Sequence, residues 1–161
     1  MIRIATLALL LLPVQVQALS CLPHSVETAF TDAVEAEGDF VIVRGALKFD
    51  TRKLPKVDWA RQSDTPPLTQ IEAVLNGKSL TSAGFAIPFD RKVTLEIACF
   101  GPWCAKPLSG SDVIAFVERR TEGFVVAANP CGGFLFDTPK PAVIRKLKAC
   151  FAGKTCDAAF R

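Results

Sequence analysis

The stretch that decides the fold reads Cys21-Leu22-Pro23-His24-Ser25-Val26-Glu27-Thr28-Ala29-Phe30, and Phe40-Val41-Ile42-Val43-Arg44-Gly45 follows it closely. Ser25 predicts the start of a helix, because its hydroxyl can accept a hydrogen bond from a free N–H in the first turn. Apolar residues then recur at helical spacing, and Gly38 predicts the stop. The second run is β-branched, aromatic and apolar on both faces, so it predicts a central, covered strand.

The N-terminal residues have the pattern of an export signal. Arg3 is followed by an almost wholly apolar run over residues 4–12, and the small residues Ala18 and Ser20 come later. A charged start, a short apolar core and small residues near the cut are typical of a secretory signal peptide, which we assign to residues 1–20. The apolar run is too short to span a bilayer, so we predict no transmembrane segment.

Three processing routes remain open from the sequence. Cleavage after Ala18 leaves Leu19 first, and cleavage after Ser20 leaves Cys21 first. In the third route the Cys21 thiol is acylated, since residues 18–21 resemble part of a lipobox. We favour an exported protein, periplasmic or secreted, without a lipid anchor, and we expect membrane anchoring only if Cys21 is acylated.

The chain contains six cysteines, all after the signal. An even count in an exported chain indicates a disulfide framework, whose pairing the count leaves open. His24 is the only histidine, and no Cys-x-x-Cys spacing occurs, so we predict neither a zinc site nor a redox motif. We predict no cofactor. The cysteines are Cys21, Cys99, Cys104, Cys131, Cys150 and Cys156.

The remaining chain, residues 21–161, has the length of a single domain. Its charge is nearly balanced once Arg3 leaves with the signal, which excludes the basic footprint typical of nucleic-acid binding. His24 lacks an Asp or Ser partner at a meaningful spacing, and no Gly-x-Ser-x-Gly motif occurs. We therefore predict that the protein is not an enzyme.

Alternating and continuous apolar runs predict a mainly β domain. Residues 46–67, which include Trp59, form a long excursion between strands, and Asn76-Gly77 predicts a tight turn. Thr138 predicts the cap of a C-terminal helix within an extension over about residues 138–161. Consecutive strands with short links favour an antiparallel meander closed into a small barrel. The predicted strands are residues 68–75, 85–89, 93–99, 113–117 and 124–128, with a turn at 90–92.

Several segments together resemble the netrin-like domain family, which includes the tissue inhibitors of metalloproteinases. The first is Cys-x-Pro-x-Ser-Val-x-x-Ala-Phe at residues 21–30, and the second is Glu72-Ala73-Val74-Leu75-Asn76-Gly77-Lys78. The alternating strand at 93–99 and the glycine-led apolar strand at 110–116 follow in the same order. Asn129-Pro130-Cys131 stands where the family has its late cysteine.

The resemblance covers roughly residues 21–136. It implies a small OB-like antiparallel barrel, stapled by disulfides, with a short N-terminal helix and a C-terminal helix. It also implies that Cys21 pairs with Cys131, after which proximity along the chain pairs Cys99 with Cys104 and Cys150 with Cys156.

One departure bears on function. Metalloproteinase inhibitors of the family begin Cys-x-Cys, and the amine and carbonyl of the first cysteine chelate the zinc of the enzyme. Leu19 occupies the first of these positions here, and Cys21 matches the second. The chelating chemistry therefore requires cleavage after Ser20, which would give Cys21 a free amine.

We expect the contact surface to be a ridge beside the Cys99–Cys104 and Cys131 loops. Its candidate residues are Cys21, Leu22, Pro23, His24, Trp103 and Pro130. The first hypothesis is an exported, non-catalytic binding module for a protein or another component of a bacterial envelope. The second is a metalloprotease inhibitor acting through the Cys21 amine, and the third is a lipid-anchored structural protein. Simpler roles for His24 and Trp103 are helix capping and packing on a disulfide.

Overall fold

Eight strands and two helices make up the part of the chain that the computed structural model describes, residues 20–21, 24–36 and 38–156. The predicted mainly β composition, the two helices and the three disulfides are confirmed. The predicted signal lies outside the described residues except for Ser20. The elements are α1 (Val26–Glu35), β1 (Asp39–Phe49), β2 (Leu68–Thr81), β3 (Gly84–Phe100), β4 (Trp103–Cys104), β5 (Asp112–Arg120), β6 (Gly123–Asn129), β7 (Gly132–Gly133), β8 (Leu135–Asp137) and α2 (Pro141–Phe151).

Helix α1 begins as its sequence predicts. The Thr28 N–H donates a hydrogen bond to the Ser25 hydroxyl at 3.2 Å, which satisfies one free donor of the first turn. The helix buries Val26, Ala29 and Ala33 on one face. It ends at Glu35, shortly before the chain enters β1.

The strand pairings run in a circuit. β1 pairs with β2 and β2 with β3, both antiparallel, as in the predicted meander. The circuit then departs from the meander, because β3 pairs in parallel with β6 over Thr94–Ile97 and Val125–Ala128. β5 is antiparallel to both β6 and β1, which returns the pairing to its start. A parallel pair needs a crossover between its strands, and β5 supplies it.

Two apolar clusters lie on opposite faces of β1 and β5. The first, which we call the inner cluster, includes the fully buried Leu47, Leu95 and Val126. The second, which includes Ile42 and Phe116, packs under α1 and α2. The prediction of a central strand covered on both faces is therefore confirmed.

The predicted turn at Asn76-Gly77 is wrong, because both residues lie inside β2. Gly77 is paired with Gly45 of β1, and a Cβ on either glycine would collide with the backbone of the other strand. Glycine is used here for close strand approach and not for a turn. The predicted turn at residues 90–92 is also wrong, since β3 continues through it. The hairpin instead turns after Thr81.

Helix α2 begins at Pro141 with Lys140 at the cap position, so the predicted Thr138 cap is wrong. Thr138 instead adopts a positive φ of 48° in the preceding turn. Neither helix of the described part is long and apolar enough to cross a bilayer. Leu147 is fully buried against the sheet, and Lys146 on the adjacent face donates to the Glu27 carboxylate of α1.

A polar network ties three strands together on the outer side of the sheet. The Arg120 guanidinium of β5 bonds Glu96 of β3 at 3.0 Å and also Glu118 on its own strand. The Gln70 side chain of β2 donates to the same Glu96 carboxylate at 3.0 Å. The hydrogen bonds with Glu118 and then Glu96 raise the pKa of Arg120, so its charge is permanent. Glu96 is buried, and this pairing offsets the cost of its burial.

The Glu27–Lys146 contact makes the helix pair sensitive to acid. Burial alone would raise the pKa of the Glu27 carboxyl, but hydrogen bonds from Lys146, the Glu27 backbone and Ser25 lower it below the ordinary value of 4.5. A carboxyl whose pKa is depressed by folding stabilises the fold above its unfolded pKa and loses that contribution as pH falls through the folded pKa.

We therefore predict that Glu27→Gln makes the free energy of unfolding less dependent on pH below about 4.5. Urea unfolding at a series of pH values from neutral to acid measures this slope. The matched control is Glu72→Gln, because Glu72 is exposed and forms no ion pair within the described part of the chain. Equal slopes for wild type and Glu27→Gln would contradict the prediction.

Candidate binding surface at the loop end of the sheet

Most of the long loops leave the sheet at one end, which we call the loop end. The start of β2 and the finish of β3 meet there, since Leu68 is paired with Ala98. The finish of β6 lies beside them, because Ala128 is the parallel partner of Ile97. The loop end therefore consists of residues 50–68, the Cys99–Cys104 hairpin, residues 105–111 and residues 129–132.

The Cys21–Cys131 disulfide fastens the N-terminal segment to the loop end. His24 follows, and its ring stacks on Phe136 with centroids 5.0 Å apart and planes inclined by 10°. Gly132 lies against this ring with a φ of 127°, and a Cβ at that position would collide with the imidazole. The His24 Nε2 atom is buried and has no hydrogen-bond partner among the described residues. His24 is thus a packing residue rather than a helix cap.

A cavity of about 400 Å³ opens beside this disulfide. Thr28 and Asp32 of α1 line one wall, and Asn129 and Phe134 line another. The Asn129 amide oxygen is already occupied, because the Cys131 N–H donates to it at 2.8 Å. Ser20 also lines the cavity, which therefore offers one carboxylate and two hydroxyls beside an apolar wall.

The Cys99–Cys104 disulfide pins a hairpin that projects two aromatic side chains. Cys99 is paired with Cys104 and Phe100 with Trp103 across the hairpin. Phe100 is 44% exposed and Trp103 is 38% exposed, whereas Pro102 between them is buried. Trp103 is therefore a partly exposed aromatic side chain on a disulfide-closed hairpin.

The structure brings the predicted ridge together only in part. Cys21 and His24 lie against the Cys131 loop, and Pro130 lines a small cavity with Ala105, Lys106 and Pro107. Trp103 is two residues from Ala105, so it belongs to the same end of the sheet. The remaining two ridge candidates, Leu22 and Pro23, lie outside the described residues.

Three apolar residues of the loop end were not among the sequence candidates. Trp59 is 63% exposed in the long loop, and Leu68 and Leu108 are also exposed. The exposure of Trp59 could have been predicted from its position in a loop rich in charged residues. The exposure of Leu68 and Leu108 could not, because an apolar residue next to a strand is equally typical of the core.

Charges around these residues divide into paired and unpaired groups. The Arg52 side chain donates hydrogen bonds to both carboxylate oxygens of Asp50, and its backbone N–H donates a further one. These bonds lower the pKa of that carboxyl to about 2. Arg61 lies between two aspartates of the same loop. In contrast, Lys53, Lys56 and Lys106 are exposed and form no ion pair within residues 20–21, 24–36 and 38–156. With Lys53, Lys56 and Lys106, the loop end contains five lysines and arginines against three aspartates, a net charge of +2.

Within the described residues, no group of three or more His, Cys, Asp or Glu side chains has the arrangement of a metal site. All six cysteines are in disulfides, paired as predicted. Comparison with protein-family models, curated proteins and solved structures gave no significant match. The functional evidence is therefore the loop end itself.

The two disulfides of the loop end close loops of very different length, 110 and 5 residues apart in sequence. Loop entropy predicts that losing Cys21–Cys131 costs about 5 kcal/mol and losing Cys99–Cys104 about 2 kcal/mol. The paired variants Cys21→Ser/Cys131→Ser and Cys99→Ser/Cys104→Ser, compared by urea unfolding, measure the difference. Equal losses would show that chain closure is not what the longer disulfide contributes.

Proposed function

We propose that the sheet is a closed OB-type barrel of the netrin-like kind. The circuit of pairings from β1 through β2, β3, β6 and β5 back to β1 supports this, because a closed five-stranded barrel requires such a circuit. The Cys21–Cys131 disulfide also supports it, since the resemblance implied that pairing.

We further propose that the protein is an exported, non-catalytic binding module whose contact surface is the loop end. The observation that carries this proposal is the exposure of Phe100 and Trp103 on the hairpin that the Cys99–Cys104 disulfide closes. Exposed aromatic side chains are typical of contact surfaces. A surface fixed by covalent links loses little conformational entropy on binding.

The experiment measures saturable binding of the labelled mature protein to isolated bacterial envelopes. Phe100→Ala and Trp103→Ala are expected to weaken binding by roughly tenfold each, because each removes a large apolar contact. Ile87→Ala is the matched control, since Ile87 is 58% exposed on β3 near the opposite end of the sheet. Equal binding by all three variants would place the contact surface elsewhere.

Metalloprotease inhibition is a second candidate function, favoured by the position of Cys21. Cys21 is exposed and is fastened by its disulfide at the loop end, so cleavage after Ser20 would set its amine on that surface. The test uses protein with a Cys21 N-terminus, confirmed by N-terminal sequencing, against a panel of zinc proteases. Inhibition is expected to vanish when one alanine is added before Cys21. No inhibition by the confirmed N-terminus would remove this candidate.

A lipid anchor and the Cys21–Cys131 disulfide would both use the Cys21 sulfur, so they exclude each other. Acylation would attach the lipid to the Cys21 sulfur, which is bonded to Cys131 in this structure. The two forms differ in intact mass before and after reduction. We propose the disulfide form as the functional one, with the acylated form as the alternative that the mass would reveal.

A further inference from the structure

Exposed apolar surface is concentrated at the loop end. Nine large apolar side chains are exposed in the described part of the chain, and five of them belong to the loop end. They include both tryptophans of the protein. The five are Trp59, Leu68, Phe100, Trp103 and Leu108. A concentration of this kind marks an interaction surface.

The shape of this surface is a projection rather than a pocket. The hairpin from Cys99 to Cys104 contributes Phe-Gly-Pro-Trp between its two half-cystines, and its only side-chain hydrogen-bonding group is the indole N–H. None of the five apolar residues lines the 400 Å³ cavity beside Cys21 or the 560 Å³ groove beside α1. A small ligand enclosed by walls is therefore not what these residues fit.

The charge beside the projection distinguishes two kinds of partner. Lysine is depleted from the cores of protein–protein interfaces. Lysine together with exposed tryptophan and phenylalanine is typical of segments that lie on a membrane surface. Lys53, Lys56 and Lys106 share the loop end with the apolar residues, and none forms an ion pair within the described residues. Their charge complements an anionic surface.

We propose that the loop end binds the surface of an anionic lipid bilayer, with Phe100 and Trp103 entering the headgroup boundary and the three lysines contacting the lipid phosphates. This inference rests on the proposed binding function and names its partner class. It requires no acyl chain, since the bilayer is contacted by side chains. The Cys21–Cys131 disulfide remains intact in this arrangement.

Intrinsic fluorescence can test the proposal without a label. The protein has two tryptophans and no tyrosine, and both tryptophans lie at the loop end. On titration with phosphatidylglycerol vesicles we expect a blue shift of the emission and quenching by lipids brominated in the acyl chain. Phosphatidylcholine vesicles are expected to produce much weaker effects. Trp59→Phe and Trp103→Phe then assign the signal to one residue at a time, and quenching is expected in Trp59→Phe, which retains Trp103.

Vesicle sedimentation tests the contribution of charge. Lys53→Gln/Lys56→Gln/Lys106→Gln is expected to weaken binding to anionic vesicles by about 100-fold, from the attraction of each lysine to the surface. The control Lys92→Gln/Arg145→Gln/Lys154→Gln removes the same charge from exposed residues away from the loop end and is expected to bind nearly as wild type. Unchanged urea midpoints would show that both variants fold.

Two outcomes would overturn the lipid proposal. One is an emission spectrum that anionic vesicles leave unchanged, and the other is equal weakening by the two triple variants, which would indicate net charge alone. If envelopes still bind through Phe100 and Trp103 while pure lipid vesicles do not, the partner is another envelope component and the proposed binding function stands. If neither envelopes nor vesicles bind, both proposals fail together.

Discussion

Strand β1 has hydrogen-bonded partners on both edges and apolar partners on both faces, and the rest of the structure depends on that position. Its first half pairs with β5 and its second half with β2, with an overlap from Val43 to Ala46. Val43 and Leu47 fill the inner cluster, whereas Ile42 supports the helices on the other face. Because both faces of β1 are covered, the side chains on each face are removed from water, and their burial stabilises the sheet from both sides. Gly45, opposite Gly77, lets the neighbouring backbone approach without a side chain between them.

The disulfides act at the places that this central strand does not reach. β1 fixes the sheet, but the N-terminal segment and the hairpin after β3 lie beyond its hydrogen bonds. Cys21–Cys131 joins the first of these to the β6–β7 turn, and Cys99–Cys104 closes the second. The Cys99–Cys104 disulfide thus holds the exposed Phe100 and Trp103 beside Ala105, which belongs to the inner cluster.

The sequence predicted the features that neighbouring residues determine and missed those that depend on pairing between distant strands. The Ser25 cap, the covered run after Phe40 and the Cys99–Cys104 pair were all correct, because each follows from neighbouring residues. Asn76-Gly77 was wrong, because its conformation is decided by the glycine of another strand. The parallel β3–β6 pair was likewise not predicted, since alternation reports which face a residue occupies and not which strand lies beside it.

The same limit applies to predicting the candidate binding surface from the sequence. Cys21, His24, Pro130 and Trp103 were identified from short motifs, and the structure places them at one end of the sheet. Trp59, which is 63% exposed, lies in a loop about 40 residues before the Cys99–Cys104 hairpin in the sequence. Hydrophobic periodicity does not predict where such a loop lies. Only the fold shows that its lysines and its tryptophan lie at the same end of the sheet as the Cys99–Cys104 hairpin. A single Cys21 sulfur cannot both hold Cys131 and carry a lipid. The proposed membrane contact, made by loop-end side chains, requires no lipid on Cys21 and leaves the disulfide framework intact.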